Sequence, residues 1–232
     1  SLKVNGLCFD LWVSLDHPVT DHETGEQVCG LCEFDPGAGE DAVSLLVSPV
    51  GEGMTEELVL STFGHELGHA VFDAPGWIAD SKVSPGLFDT PDQQQRKAYR
   101  TTTHDIGHLT SPGVSPAQDE GLLARIVEAE REKEKRIAEF RANEFMGSLL
   151  VPRRRLVEVV IEMAPKYDVT LVACPGFLEE EAPTTFTVKA DGPFGDFDLE
   201  NLQKAIGKRF GVHGRFIKVR MARYGLLADG AS

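Results

Sequence analysis

The chain has 232 residues, 41% hydrophobic and 26% charged, with a formal net charge of −14; this fits a globular body of one domain, or one with an appendage, and argues against a surface that wraps nucleic acid. No apolar run approaches the roughly 18 residues that cross a bilayer, and the opening segment lacks a basic start followed by an apolar signal core. Cys8, Cys29, Cys32 and Cys174 are too few and too scattered for a disulfide framework, so the chain reads as cytoplasmic with reduced thiols and no membrane partner.

The first fifty residues have the character of sheet. Residues 2–13 are rich in strand formers with partial alternation and predict one strand. A polar turn follows over 17–25, then a second strand over 27–34, a turn at Asp35-Pro36-Gly37, and a third strand over Ala42–Val47. Cys29 and Cys32 form a CxxC, but a strand sends the two side chains to opposite faces, which favours core thiols over a metal or redox pair.

Thr55 followed by Glu56 and Glu57 predicts a capped helix with acids in its first turn, running to Phe72 and stopping before Pro75-Gly76. Residues 73–114 carry Pro75, Pro85, Pro91 and Pro112 and read as a long loop with one short helix over 93–99. Ser115-Pro116 is a helix start, opening a long charged helix toward Leu150. Pro152 opens another, to Met163. Residues 169–173 and 184–190 alternate like two strands around Glu179-Glu180-Glu181, and 199–227 reads as two short helices. Residues 201–232 hold seven Lys and Arg against Asp229 alone, a basic tail that is either a solvated helical face or a contact for an acidic partner or DNA phosphates. The elements together predict an α+β fold.

The chemistry concentrates in His65-Glu66-Leu67-Gly68-His69. On a helix, histidines four positions apart lie one turn apart and about 40° around the axis, so both imidazoles reach one ion. Glu66, about 100° from His65, sits beside that ion where the general base for a water belongs. Leu60, Phe63, Leu67, Ala70 and Val71 predict an apolar face opposite the metal, while Ser61, Thr62 and Gly68 are small enough to leave room for substrate. A third ligand from a neighbouring element is required. Glu139 fits best, with Asn143 one turn on to orient a ligand histidine.

Two stretches resemble the ImmA/IrrE metallopeptidases: residues 62–70, around the HExxH, and residues 139–152, where Glu139, Ala142, Asn143, Phe145, Leu149, Leu150 and Pro152 follow the family's E-x-x-A-N-x-F-A and L-L-M-P pattern, with Met146 in place of its Ala and Val151 in place of its Met. The last stretch, residues 202–227, more loosely resembles the helix-turn-helix-like tail of several members. The resemblance implies a zincin-like core, a small mixed sheet packed on the HExxH helix, over 1–152 with a long insert at 73–114. It implies a helical C-terminal part over 153–232, with a β-hairpin-like insert (166–197) and a helix-turn-helix-like tail (198–228). It implies zinc on His65, His69 and Glu139, a gluzincin-like His-His-Glu set that manganese or iron can also occupy, and Glu66 as base. The implied substrate is a helix-turn-helix transcriptional repressor, cleaved to derepress stress-response or mobile-element genes. The 70 positions between His69 and Glu139 are long for the family.

Donors for a developing oxyanion are sought at Tyr99, His104 and His108, with Tyr167 and Tyr224 further along; surface exposure is the ordinary fate of such histidines, and His17, His22 and His213 read as surface or turn residues. The substrate is expected to lie along a sheet edge, at the Ala42–Val47 strand, by β-augmentation. Two readings from other classes stay open: a regulatory protein whose zincin body binds a repressor without cutting it, and a DNA-associated regulator acting through the basic tail.

Overall fold

The computed structural model describes residues 1–21, 24–36, 41–82, 97–101, 122–173, 186–190 and 193–227. They form a mixed α+β chain that divides into two compact units, Ser1–Met146 and Gly147–Ser232.

The first unit begins with a hairpin, β1 (Leu2–Val4) and β2 (Leu7–Ser14), where the sequence predicts one strand. The chain turns at Asn5-Gly6, both at positive φ (50° and 85°), the conformation a two-residue hairpin loop demands and an Asn-Gly pair supplies. Next come β3 (Val19–Thr20), inside the predicted turn, and β4 (Gln27–Val28), which pair with each other, then β5 (Gly30–Phe34) and β6 (Ala42–Val47). The second predicted strand is thus broken at Cys29. With β7 (Lys97–Thr101) the main sheet has the order β1-β2-β6-β5-β7, parallel between β2 and β6 and antiparallel elsewhere.

That order overturns the expected docking edge. β6 lies in the middle of the sheet, hydrogen-bonded on both sides, and has no edge to offer a peptide. Local alternation identifies a strand but not its neighbours.

Helix α1 (Glu56–Phe72) begins as predicted, with the Thr55 hydroxyl accepting from the Leu58 N–H at 3.3 Å. It ends at Phe72, yet Pro75-Gly76 does not open a loop. Helix α2 (Ala74–Lys82) starts immediately, with Pro75 in its first turn, where a missing N–H costs nothing. β7 likewise occupies part of the predicted helix over 93–99. Ser115-Pro116 lies outside the described residues, and helix α3 is described over Leu122–Leu150, its last four residues grouping with the second unit.

Two apolar clusters pack the helices on the sheet: Phe9, Cys32, Phe34 and Val43 with Ala70, Ala74, Trp77 and Ile78, and Cys29, Leu45 and Val47 with Met54. Cys29 and Cys32 both join clusters on the helix-facing side of the sheet, because the strand is broken at Cys29 and the opposite-face expectation for one continuous strand does not apply. On the other side of β5, Leu31 packs with Val19 and Val28 of the β3–β4 hairpin. The apolar face predicted for α1 is met in part: Ala70 is fully buried in the core and Phe63 and Leu67 pack against it, but the face does not account for the whole buried side. Leu60 and Phe72 are exposed, Phe63 and Leu67 are half-buried, and the fully covered side carries Thr62, His65, Glu66 and His69.

The second unit consists of α4 (Arg153–Met163), a 3-10 turn (Ala164–Tyr167), the antiparallel strands β8 (Val169–Ala173) and β9 (Phe186–Ala190), and helices α5 (Gly195–Phe210) and α6 (Gly214–Arg223). Its core is aliphatic, built on Leu156, Val160, Val188, Leu202, Ile206, Ile217 and Met221. Gly211 closes α5 at φ 71°, the left-handed cap glycine suits, and His213, predicted as a surface residue without a role, caps α6 by accepting from the Arg215 N–H. Arg220 departs from the solvated basic face. It is buried, stacks 4.6 Å from the Tyr224 ring centroid and donates to the Tyr224 hydroxyl, which in turn donates to the Val151 carbonyl. No helix among the described residues is long and apolar enough to cross a membrane.

Candidate metal centre

The site assembles from α1, α3 and β7, all within the first unit. Gly68 and Ala142 set the approach of the two helices: a Cβ on Gly68 would lie 2.8 Å from the Ala142 Cα and 3.1 Å from its carbonyl oxygen. The small residue expected to leave room for substrate instead admits α3. One turn along, Phe72 and Phe145 meet edge to face at 5.7 Å between centroids. This packing delivers Glu139 and Asn143, one turn apart on α3, to the histidines of α1.

His65 and His69 meet with their Nε2 atoms 3.1 Å apart. The Glu139 carboxylate closes the group, Oε2 at 3.2 Å from His65 Nε2 and Oε1 at 3.7 Å from His69 Nε2. The three side chains offer ligand atoms within 4.8 Å of one another and lie close enough to bind a metal ion. Both histidines are buried, and Glu139 is half-buried.

The outer nitrogens decide what the inner ones can do. His65 Nδ1 faces Asn143 Oδ1 at 3.1 Å, and His69 Nδ1 faces Asp73 Oδ2 at 2.8 Å. Both partners are acceptors, so each Nδ1 carries the proton and each Nε2 presents a lone pair inward. With both rings neutral, two lone pairs and a carboxylate then converge, and without an ion a proton between His65 Nε2 and Glu139 relieves them. The composition of the set fits a divalent ion held by nitrogen and oxygen.

Electrostatics pull the two rings apart. Burial lowers the proton affinity of His65, but the hydrogen bond to Glu139 and the charges of Glu66 and Glu139 outweigh it, so its pKa stands above the ordinary histidine value. For His69 burial wins over the Asp73 hydrogen bond, helped by the neighbouring His65, and its pKa falls below that value. Burial, with the charges of Glu66, Asp73 and Glu33, pushes the Cys32 thiol well up, which keeps it an uncharged core group rather than a thiolate ligand.

Glu66 is fully buried beside the histidines, and the Thr101 hydroxyl at the end of β7 donates to its Oε1. Asp73 has several tasks. Its backbone N–H caps α1 by donating to the His69 carbonyl at 2.8 Å, its own carbonyl accepts from Gly76 and Trp77 at the start of α2, and its carboxylate binds His69 and Arg141.

Of the residues picked from sequence, His65, His69, Glu139 and Asn143 come together as expected. Tyr99 stands on β7 in register with Cys32, while His104 and His108 lie outside the described residues. The Tyr224 hydroxyl is engaged within the second unit. Asp73, Arg141 and Thr101 were not anticipated. Asp73 follows His69 by four positions, one helical turn, and that spacing alone could have flagged it; Arg141 lies two positions beyond Glu139. Thr101 carried no signal, because its strand sits in a stretch that reads as loop.

No protein-family model matches the chain, and no curated protein matches it.

Proposed function

We propose that this chain is a zinc-dependent endopeptidase with a zincin-like core, of the ImmA/IrrE kind it resembles, and that its substrate is a helix-turn-helix repressor. The single observation that carries the peptidase reading is the inward-facing acceptor set of His65, His69 and Glu139 with a buried carboxylate, Glu66, at its side. A binding site for a structural ion has no need of that fourth group. The substrate class rests on the sequence motifs alone.

When bound there, the ion supplies Lewis acidity, polarising a carbonyl and acidifying a water. The protein's own groups do the rest. Asn143 and Asp73 hold the two imidazoles in the tautomer that points Nε2 inward. Glu139 adds a negative charge that strengthens the set. Glu66 takes a proton from the attacking water on a carboxylate oxygen and returns it to the leaving amine, the two transfers that peptide hydrolysis requires. Burial of Glu66 and both histidines keeps bulk water from competing for these contacts.

The test compares new protein N-termini in host cells expressing wild type or Glu66→Ala. One dominant cleavage in a helix-turn-helix protein, lost in the variant, is the expected result. Identical profiles from a metal-loaded wild type under the inducing stress would reject the reading.

A further inference from the structure

Glu66 is held by more than its own helix. Gly30 on β5 and Thr101 on β7 are direct partners across the sheet, and the Cys29 N–H donates to the Thr101 carbonyl at 2.8 Å, fixing the end of β7. A Cβ on Gly30 would lie 2.5 Å from Thr62 Cγ2, 3.0 Å from Glu66 Cγ and 3.1 Å from Glu66 Oε1. The Thr62 methyl, with the Glu66 side chain beside it, therefore occupies the space that any other residue at position 30 would fill. Thr101 is itself 1% exposed, and its hydroxyl donates to Glu66 Oε1.

The chemistry of that donor matters. A lysine or arginine here would neutralise the carboxylate and hold it ionised, whereas a hydroxyl orients one oxygen and leaves the charge on Glu66. A β-branched side chain in a strand has few rotamers, so threonine aims its hydroxyl more firmly than serine. Burial makes the bond costly to lose, since a buried carboxylate that gives up a donor has no solvent to replace it.

We propose that Thr101 is a positioning residue for Glu66, seated by the absence of a side chain at Gly30, and that it fixes the rotation of the Glu66 carboxylate beside the His65–His69–Glu139 centre. This rests on the reading of Glu66 as the general base, but the contact can be tested without it.

The experiment uses the full chain, with zinc content measured, as wild type, Thr101→Val, Thr101→Ser, Glu66→Ala and the double variant Thr101→Val/Glu66→Ala. Melting temperatures give the arm that needs no activity. The double variant is expected to lose clearly less than the sum of the two single losses, because each single change removes the same bond. Additive losses overturn the proposal whatever the activity does. The kinetic arm uses the host protein whose cleavage separates wild type from Glu66→Ala. Thr101→Val is expected to lower kcat by about tenfold or more with KM within about twofold, the split for a group acting only on the reacting arrangement. Thr101→Ser is expected to recover most of that rate at unchanged zinc content. A Thr101→Val variant with wild-type kcat, or a Thr101→Ser variant as slow as valine, overturns it. A wild type that cuts nothing rejects the peptidase reading instead, and the melting comparison still decides whether Thr101 seats Glu66.

Discussion

The two units bury very different things. In the second, the described core is nearly all aliphatic, and its buried polar side chains are Gln203 and Arg220, the latter bound to Tyr224. In the first, His65, Glu66, His69, Asp73 and Thr101 are all buried, and Glu33 is buried on β5 as well. Burying ionisable groups opposes folding unless each is paired. The described core of the second unit is built with one buried ionisable group, Arg220. The concentration of such groups in the first unit is therefore better explained by a site than by a requirement of the fold.

Four substitutions break or sharpen this contrast, from the largest expected effect to the smallest. Glu66→Ala is expected to slow peptide cleavage by about 10²–10⁴-fold, the usual worth of a general base, with metal stoichiometry by elemental analysis unchanged. Loss of metal along with activity would make Glu66 a ligand rather than a base. Ile206→Ala, in the aliphatic core of the second unit, is expected to cost about 2–5 kcal/mol in urea unfolding. Metal affinity should stay put, and a coupled fall would erase the division of labour between the units. Asp73→Ala is expected to weaken metal binding by about 10–100-fold in a chelator competition, as removal of a carboxylate behind a ligand histidine generally does. An unchanged affinity would mean that helix packing alone orients His69. Thr55→Ala removes one capping bond and is expected to cost about 1 kcal/mol in the same unfolding assay, without altering metal affinity.

Much of the mixed α+β character was legible because it is written locally. Thr55 with two acids behind it marks the start of α1, Pro152 marks α4, and alternation marks β6, β8 and β9. The approach of His65 to His69 follows from helical spacing, and Glu139 and Asn143 from their own spacing beside a motif. What stayed hidden is what depends on partners distant in the chain. Nothing in residues 42–47 says that β6 will sit between β2 and β5. Pro75-Gly76 is a helix breaker in most settings, but one residue after a helix end it can also start the next helix. Thr101 matters only because β7 pairs with β5, a match made across more than sixty residues. Arg220 reads as one more basic residue until the fold covers it with Tyr224.

The contact between Gly68 and Ala142 has a mechanical consequence. Because the two helices touch through backbone and a single methyl, no rotamer at the crossing can be exchanged to let them drift apart. The span between the His69 ring and the Glu139 carboxylate is thus gauged by hard contact, as a spacer gauges a jaw. Any ion held here would be reached by ligands rooted on two backbones whose separation is set where α1 and α3 cross.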